Sequence, residues 1–177
     1  RLYPKKEMTD SLLGYIGEVG KDDLENGESE YSLGDITGKY GVEKVLDPYL
    51  RGRSGAELVE VNVHEKQMQN LGRIEAVPGY NTVLTIETRL QEVAWLGLNG
   101  KAGAVVALDP RDGAILAMVS APSFDPHLFN AGISAEQWKN LLNNPLSPMT
   151  NRVVSGQYPP GSTYKLIVAA AALEEGI

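Results

Sequence analysis

The sequence predicts an α+β fold, with helices against a mainly antiparallel sheet, on the strength of three stretches of the 177-residue chain. Residues 58–63 alternate between apolar and polar side chains, which is typical of a half-buried strand and is followed by a turn and a second strand. Two apolar runs flank DPRDG at 109–113, and this pattern predicts a β-hairpin. The run LIVAAAAL, which follows Lys165, predicts a helix that is apolar on all sides.

Composition divides the chain into two parts, 1–80 and 81–177. The first part is polar, glycine-rich and irregular, whereas the second contains longer apolar segments. The net charge of -7 disfavours a nucleic-acid-binding protein, which needs a basic face. Cysteine is absent, which excludes disulfides and thiol catalysis. The two histidines, His64 and His127, lack metal-ligand spacing to each other, so we expect surface positions for them.

The elements of the first part are short. Residues 20–35 are acidic and lack an apolar period, so we expect a solvated loop with at most a short helical turn. Residues 40–52 have apolar side chains at helical spacing and end at Gly52, which predicts a helix. Residues 56–77 then contain the alternating strand, its turn and the second strand.

The second part begins with a predicted short strand and a helix within 82–98. The two arms of the hairpin around 109–113 are apolar on both faces, so we expect them inside a covered sheet. Residues 133–144 predict an N-capped helix, and 144–161 form a long loop rich in Pro, Gly and Ser. This loop leads to the final helix, which we predict to be a core helix from Ser162 to about Glu175.

Ser162 and Lys165 lie three residues apart where the final helix begins, and two readings of this pair are open. Ser-x-x-Lys arises easily by chance, and a serine before a helix is usually an N-cap. A capping box, however, has Glu or Gln at the third position, and a cation in the first turn opposes the helix dipole. In an apolar setting at a helix N-terminus, the lysine is favoured as a neutral amine that can deprotonate the serine. The pair is therefore a candidate nucleophile and base.

The surrounding blocks resemble the class B penicillin-binding proteins, most closely the elongation type, penicillin-binding protein 2. NRVVSGQYPPGSTYK at 151–165 resembles the first catalytic motif of that superfamily, whose pattern is S-x-x-K. LLGYIG, GKYGVEKVLDPYLRGRSG, TVLTIETRLQ and GAVVALDPRDGAILAMVSAPSFDPHLF precede it in the family's order. The resemblance covers nearly all of the chain. It implies a strand-rich pedestal (dimerisation-like) domain at 1–80 and the N-terminal part of a transpeptidase domain at 81–177.

The resemblance further implies a D,D-transpeptidase that cross-links peptidoglycan stem peptides, with Ser162 as the nucleophile and Lys165 as its activating base. β-Lactams would acylate the same serine, and the resemblance implies no metal or organic cofactor. Family partners are a glycan-polymerising membrane protein and a cell-shape scaffold protein. The family location is the outer, periplasmic face of the cytoplasmic membrane, reached through an anchor that this chain lacks.

The sequence also departs from the family pattern. The Ser-x-Asn and Lys-Thr/Ser-Gly motifs do not occur in the chain. We therefore expect an internal fragment of a longer enzyme, inactive by itself. Three alternatives stay open: a division-type transpeptidase, a D,D-carboxypeptidase or β-lactamase of the same superfamily, and a non-catalytic module that binds a scaffold protein.

Overall fold

The computed structural model describes residues 1–25, 31–32, 34–64 and 66–177. These residues form helices and short antiparallel sheets, which confirms the α+β class. The α-helices are α1 Asp10–Leu13, α2 Lys21–Glu25, α3 Gly41–Val45, α4 Asp47–Leu50, α5 Thr88–Leu98, α6 Ala135–Leu142, α7 Arg152–Ser155 and α8 Tyr164–Glu174. The strands are β1 Ile16–Glu18, β2 Ile36–Gly38, β3 Ala56–Val61, β4 Gln67–Ile74, β5 Gly103–Leu108 and β6 Ile115–Ala121. Single 3-10 turns occupy Lys6–Met8, Pro126–Phe129 and Gly161–Thr163.

The predicted hairpin around 109–113 is confirmed as the antiparallel pair β5–β6. The Asp109 backbone N–H donates to the Ala114 carbonyl at 2.9 Å and closes the turn. The prediction that both arms are covered is wrong for β5. Its residues alternate in exposure, and Leu108 is 57% exposed, whereas the second half of β6 is buried. The reason is that α5 and α7 cover one face of the hairpin, and the described residues supply little cover for the other.

The other two pairs of strands lie in the first part of the chain. β3 and β4 form the predicted strand–turn–strand unit, with register shifts near Leu58 and Glu60. Both strands are largely exposed. β1 pairs with β2 across residues 19–35, where α2 supplies the expected helical turn. The rest of the predicted loop falls partly on 26–30 and 33, which lie outside the described residues.

Two predicted elements differ from the structure. Residues 40–52 form two short helices, α3 and α4, because Pro48 in the first turn of α4 lacks the N–H that a single continuous helix needs. Residues 82–86 form no strand. The segment lies beside β6, where the Glu87 backbone N–H donates to the Leu116 carbonyl at 2.9 Å. It ends at Glu87, whose carboxylate accepts hydrogen bonds from the Arg89 and Leu90 backbone N–H groups and starts α5.

Residues 1–13 pack mainly on elements from the second part of the chain. The 3-10 turn Lys6–Met8 contacts α5, and α1 contacts β6. An aromatic cluster lies beside them, in which Tyr15 stacks on Phe129 with ring centroids 4.0 Å apart. The two parts therefore share one buried core, whose apolar members are Tyr3, Ile16, Val19, Ala117, Val119, Ala121, Phe124 and Phe129. Within the described ranges, no helix is both long enough and apolar enough to cross a bilayer.

Candidate active site

The loop that leads to Ser162 is more ordered than its composition indicates, because it contains the short helix α7. Asn151 caps α7, and its side-chain oxygen accepts the Val153 backbone N–H at 3.1 Å. The helix ends at Gly156, where a Cβ atom would lie 2.4 Å from the Arg152 carbonyl oxygen. Glycine at this position therefore lets the chain turn sharply out of α7 towards Pro159 and Pro160.

Ser162 lies in the 3-10 turn Gly161–Thr163, which runs directly into α8. Gly161 has φ +55°, a conformation that residues with a Cβ rarely adopt, and it sets the entry into the turn. Thr163 and Tyr164 have helical φ and ψ, so Ser162 and Lys165 lie one turn apart on the same side.

The side chain of Ser162 does not cap the helix. Pro160 and Thr163 occupy the N-cap positions of the 3-10 turn and of α8, and neither position has a side-chain capping bond. The hydroxyl that bonds to the backbone here is that of Thr163, which donates to the Pro160 carbonyl. Ser162 is exposed, and its hydroxyl has no hydrogen-bond partner among the described residues. Ser162 is therefore not an N-cap residue in the structure.

Lys165 is exposed, and no hydrogen bond joins it to Ser162 among the described residues. The prediction that the final helix is a core helix is wrong for this chain, because α8 is exposed along most of its length and Leu173 is 80% exposed. The only described element that α8 contacts extensively is its own 3-10 turn. The apolar surroundings expected for Lys165 are thus not supplied by the described residues.

Three residues that position this loop were not singled out from the sequence: Ser120, Asn151 and Arg152. Ser120 is buried, and its hydroxyl accepts the Arg152 backbone N–H at 2.9 Å and donates to the Thr150 carbonyl at 3.2 Å. An asparagine directly before a helix is an N-cap signal, so the sequence could have identified Asn151. The contacts of Ser120 join positions 30 or more residues apart and have no local signal.

The described residues contain no cluster of three metal-ligating side chains. His64 is exposed as expected, whereas the expected surface position of His127 is wrong because it is partly buried. Its Nε2 accepts the Tyr3 backbone N–H at 3.0 Å, and its Nδ1 lies 2.6 Å from Asp125. Burial opposes ionisation of Asp125, but the hydrogen bonds from His127 lower the pKa of this carboxyl overall. His127 thus has a structural role at the N-terminus of the chain.

Two family models match the chain. Residues 1–84 match the penicillin-binding protein dimerisation domain, and residues 103–177 match the penicillin-binding protein transpeptidase domain. Ser162 and Lys165 both lie within the second match.

Curated relatives align with the whole chain. The peptidoglycan D,D-transpeptidase MrdA of Acinetobacter baumannii is 40% identical over 178 residues, which is 100% of this chain and 26% of the relative. MrdA of Escherichia coli K12 is 37% identical over 182 residues, 100% of this chain and 29% of the relative. The chain thus spans a little over a quarter of the length of these relatives.

Solved structures share the fold. Penicillin-binding protein 2 of Pseudomonas aeruginosa, in complex with WCK 5153, matches with a TM-score of 0.83 and 39% identity, over 99% of this chain and 35% of that one. The complex of penicillin-binding protein 2 with MreC from Helicobacter pylori matches with a TM-score of 0.83 and 31% identity, over 98% of this chain and 32% of that one. A structure of a peptidoglycan synthase complex that coordinates polymerization and crosslinking matches with a TM-score of 0.79 and 38% identity. The match covers 99% of this chain and 33% of that one.

Proposed function

Since the chain belongs to the class B penicillin-binding proteins of the elongation type, we propose that the protein carrying it is a peptidoglycan D,D-transpeptidase whose acyl-enzyme forms on Ser162. We assign residues 1–80 to the pedestal and 81–177 to the opening part of the transpeptidase domain. Both assignments rest on the order of the sequence blocks and on the relatives named MrdA.

The proposal rests on the hydrogen bonding, exposure and position of the Ser162 hydroxyl. It makes no capping bond, is exposed, and lies one helical turn before Lys165. The hydroxyl of a serine that served only as an N-cap would accept a hydrogen bond from a backbone N–H of the helix. The structure therefore favours the nucleophile-plus-base reading of the pair over the capping reading.

The proposed reaction uses both residues of the pair. Lys165 is assigned as the base that accepts the Ser162 proton as Oγ attacks the carbonyl carbon of the penultimate D-Ala residue. Backbone N–H groups at the start of α8 are assigned to stabilise the oxyanion that develops on this carbonyl. The C–N bond then breaks, and the terminal D-Ala leaves as an amine with the proton from Lys165. The amine of a neighbouring stem peptide then attacks the Ser162 ester, the C–O bond to Oγ breaks, and the cross-link forms. The acceptor amine gives up a proton to Lys165, which passes it to Oγ. A β-lactam would acylate the same oxygen and remain attached.

The proposed partners and location follow those of the relatives. The Helicobacter pylori protein forms a complex with MreC, and a matched synthase complex couples polymerization to crosslinking. We accordingly propose that a cell-shape scaffold protein contacts the pedestal and that a glycan-polymerising membrane protein is a second partner. The proposed location is the periplasmic face of the cytoplasmic membrane.

The isolated chain is expected to be inactive. It has neither a Ser-x-Asn nor a Lys-Thr/Ser-Gly motif, and its Lys165 lacks apolar cover within the described residues. In the family, those two motifs complete the catalytic centre around the S-x-x-K serine. Measurable turnover of a stem peptide by the 177 residues alone would contradict this expectation.

The test is product analysis with the full-length protein, a stem pentapeptide donor and an amine-bearing acceptor peptide. The proposal predicts release of D-Ala together with a cross-linked peptide, and loss of both products in Ser162→Ala and in Lys165→Ala. Thr163→Ala is the matched control, since Thr163 has the neighbouring hydroxyl and this variant keeps both candidate residues. Release of D-Ala without any cross-link would instead indicate a D,D-carboxypeptidase.

A further inference from the structure

A buried polar cluster joins the N-terminal segment of the chain to the loop that leads to Ser162. We call it the joint, and its members are Asp10, Ser11, Gln91, Ser120 and Asn151. All five side chains are buried, although buried polar groups are costly unless they are hydrogen-bonded. Each of these residues forms hydrogen bonds with backbone groups of another segment or of its neighbours. The joint therefore fixes how the N-terminal segment and the loop before Ser162 lie against one another.

Asn151 uses both ends of its amide in the joint. It is only 7% exposed. Its Nδ2 donates to the carbonyl oxygen of Ser11 at 2.9 Å, across 140 positions of sequence. Its Oδ1 accepts the Val153 N–H and starts α7. One side chain thus binds the N-terminal segment with its donor and orients the helix before Ser162 with its acceptor.

The N-terminal side of this contact is itself fixed. Asp10, next to Ser11, accepts the Phe124 backbone N–H at 2.9 Å through its carboxylate. Gln91 donates to the carbonyl of Met8 at 2.6 Å and to that of Met118 at 2.8 Å. Because these bonds hold residues 8–11 against α5 and β6, the Ser11 carbonyl is a rigid anchor for Asn151.

The loop side of the contact is fixed around α7, and residues of restricted conformation follow it up to the active-site turn. The guanidinium of Arg152 donates to the carbonyls of Ser147 and Thr150, at 3.2 and 3.4 Å, and to that of Leu146. Beyond α7, Tyr158 approaches Gly156 so closely that a Cβ there would lie 2.7 Å from its ring. Two prolines with restricted φ then precede Gly161. With so little freedom in this loop, a shift at Asn151 would be passed on towards Ser162.

We propose that Asn151 is a positioning residue for the Ser162 nucleophile, because it sets the loop against residues 8–11 through a single amide. This inference rests on the proposed acylation of Ser162. It means that the placement of the nucleophile depends on the N-terminal segment. A misplacement of about 1 Å in such a site is sufficient to cost on the order of 100-fold in rate.

The test is benzylpenicillin acylation of the full-length protein, followed by intact mass at several drug concentrations. Asn151→Asp and Asn151→Ser both keep an N-cap acceptor for α7 but lose the amide that donates to Ser11. Asn151→Ser also avoids placing a carboxylate beside a carbonyl and Asp10. We expect the plateau acylation rate to fall by about 10-fold or more in both variants. The half-saturating concentration should stay within about twofold, since the binding surface is unchanged.

Ser134→Ala is the matched control. Ser134 forms a capping box with Gln137 at the start of α6, so its loss removes a helix cap of comparable stabilising effect. Within the described residues, no hydrogen bond and no extensive contact joins α6 to the joint, and we expect wild-type acylation in this control.

The outcomes separate this inference from the proposed function. No adduct on the wild-type protein would contradict the acyl-enzyme itself. An adduct that forms equally fast in wild type and both Asn151 variants would contradict the positioning role alone. Equal slowing in Ser134→Ala, or loss of cooperative melting in both Asn151 variants, would show a general stability effect and also contradict it.

Discussion

Asp10 is a carboxylic acid held away from water, with only 2% of the residue exposed. Burial raises its pKa to about 7, against the opposing effect of the hydrogen bonds from the Phe124 and Ser11 backbone N–H groups, and Glu7 raises it further. The folded protein therefore holds this proton more tightly than the unfolded chain, whose ordinary Asp pKa is about 3.9. The stability due to this group is fully present below about pH 4 and is lost as the pH rises through 7.

We accordingly predict that the free energy of unfolding falls between pH 4 and pH 8. Asp10→Asn should reduce this fall by roughly 1–4 kcal/mol. The measurement is urea unfolding at pH 5 and pH 8, in parallel with Asp109→Asn, since Asp109 lies in an exposed turn and its hydrogen bonds with Arg111 lower its pKa. An unchanged pH dependence in Asp10→Asn would show that the carboxyl is not the responsible group.

Gly14 marks a close crossing of two backbone segments. Its φ is +79°, and a Cβ there would lie 1.9 Å from the Tyr40 carbonyl oxygen. Gly113, in the turn of the β5–β6 hairpin, has the same φ of +79°, but a Cβ added to it would meet no atom within 4 Å. The two glycines therefore share a positive φ, and only Gly14 combines it with a steric clash.

We expect Gly113→Ala to cost about 1–2 kcal/mol of unfolding free energy, from the left-handed φ alone. Gly14→Ala should cost at least about 1–3 kcal/mol more, because the backbone segments must also separate. Urea titration of both variants measures the difference. Equal costs would mean that the crossing at Tyr40 relaxes freely.

At the scale of elements, periodicity and turn chemistry predicted the β5–β6 hairpin, the β3–β4 pair and the capped helix α6. Each of these depends on contacts within about 20 residues. The division of 40–52 into two helices could have been predicted from Pro48, since proline favours the first turn of a helix over its interior. The burial of α8 could not be inferred from its composition, because burial depends on which surfaces the rest of the molecule supplies. The same limit applies to Asn151, whose partner Ser11 is remote in sequence.

The exposed apolar face of α8 leads to a prediction for this element. Its side chains are those of a buried helix, so we expect another part of the full-length protein to cover it. The 177 residues contain no cysteine, so Leu173→Cys is the only thiol of the isolated chain, and in the full-length protein maleimide labelling is read on the peptide that contains position 173. Labelling should be fast in the isolated chain and about 100-fold slower or more in the full-length protein. Lys101→Cys, at an exposed position outside α8, is the control that should label fast in both. Equal rates for Leu173→Cys would contradict the expected cover.

At the scale of the whole molecule, the chain exposes far more surface than a compact protein of its size. Its accessible area is 13094 Å². A compact monomer of 19.1 kDa exposes about 8,400 Å² by the usual scaling with mass. The excess comes from α8, from the β3–β4 pair and from the outer face of β5, which all present apolar side chains to solvent.

We therefore predict that the isolated chain binds a hydrophobic dye such as ANS and self-associates as its concentration rises, despite its net charge of -7. Sedimentation velocity over a tenfold concentration range measures the self-association. A monomer that binds no dye throughout this range would contradict the account of the exposed surface.

The central claim is that Ser162 becomes acylated, and the most direct measurement is the position of a penicilloyl group in the full-length protein. The protein is treated with benzylpenicillin, digested, and its peptides are fragmented in a mass spectrometer. We predict the adduct on Ser162 and its absence from the Ser162→Ala variant. An adduct on Thr163 or on another serine, or none on a folded protein, would contradict the claim.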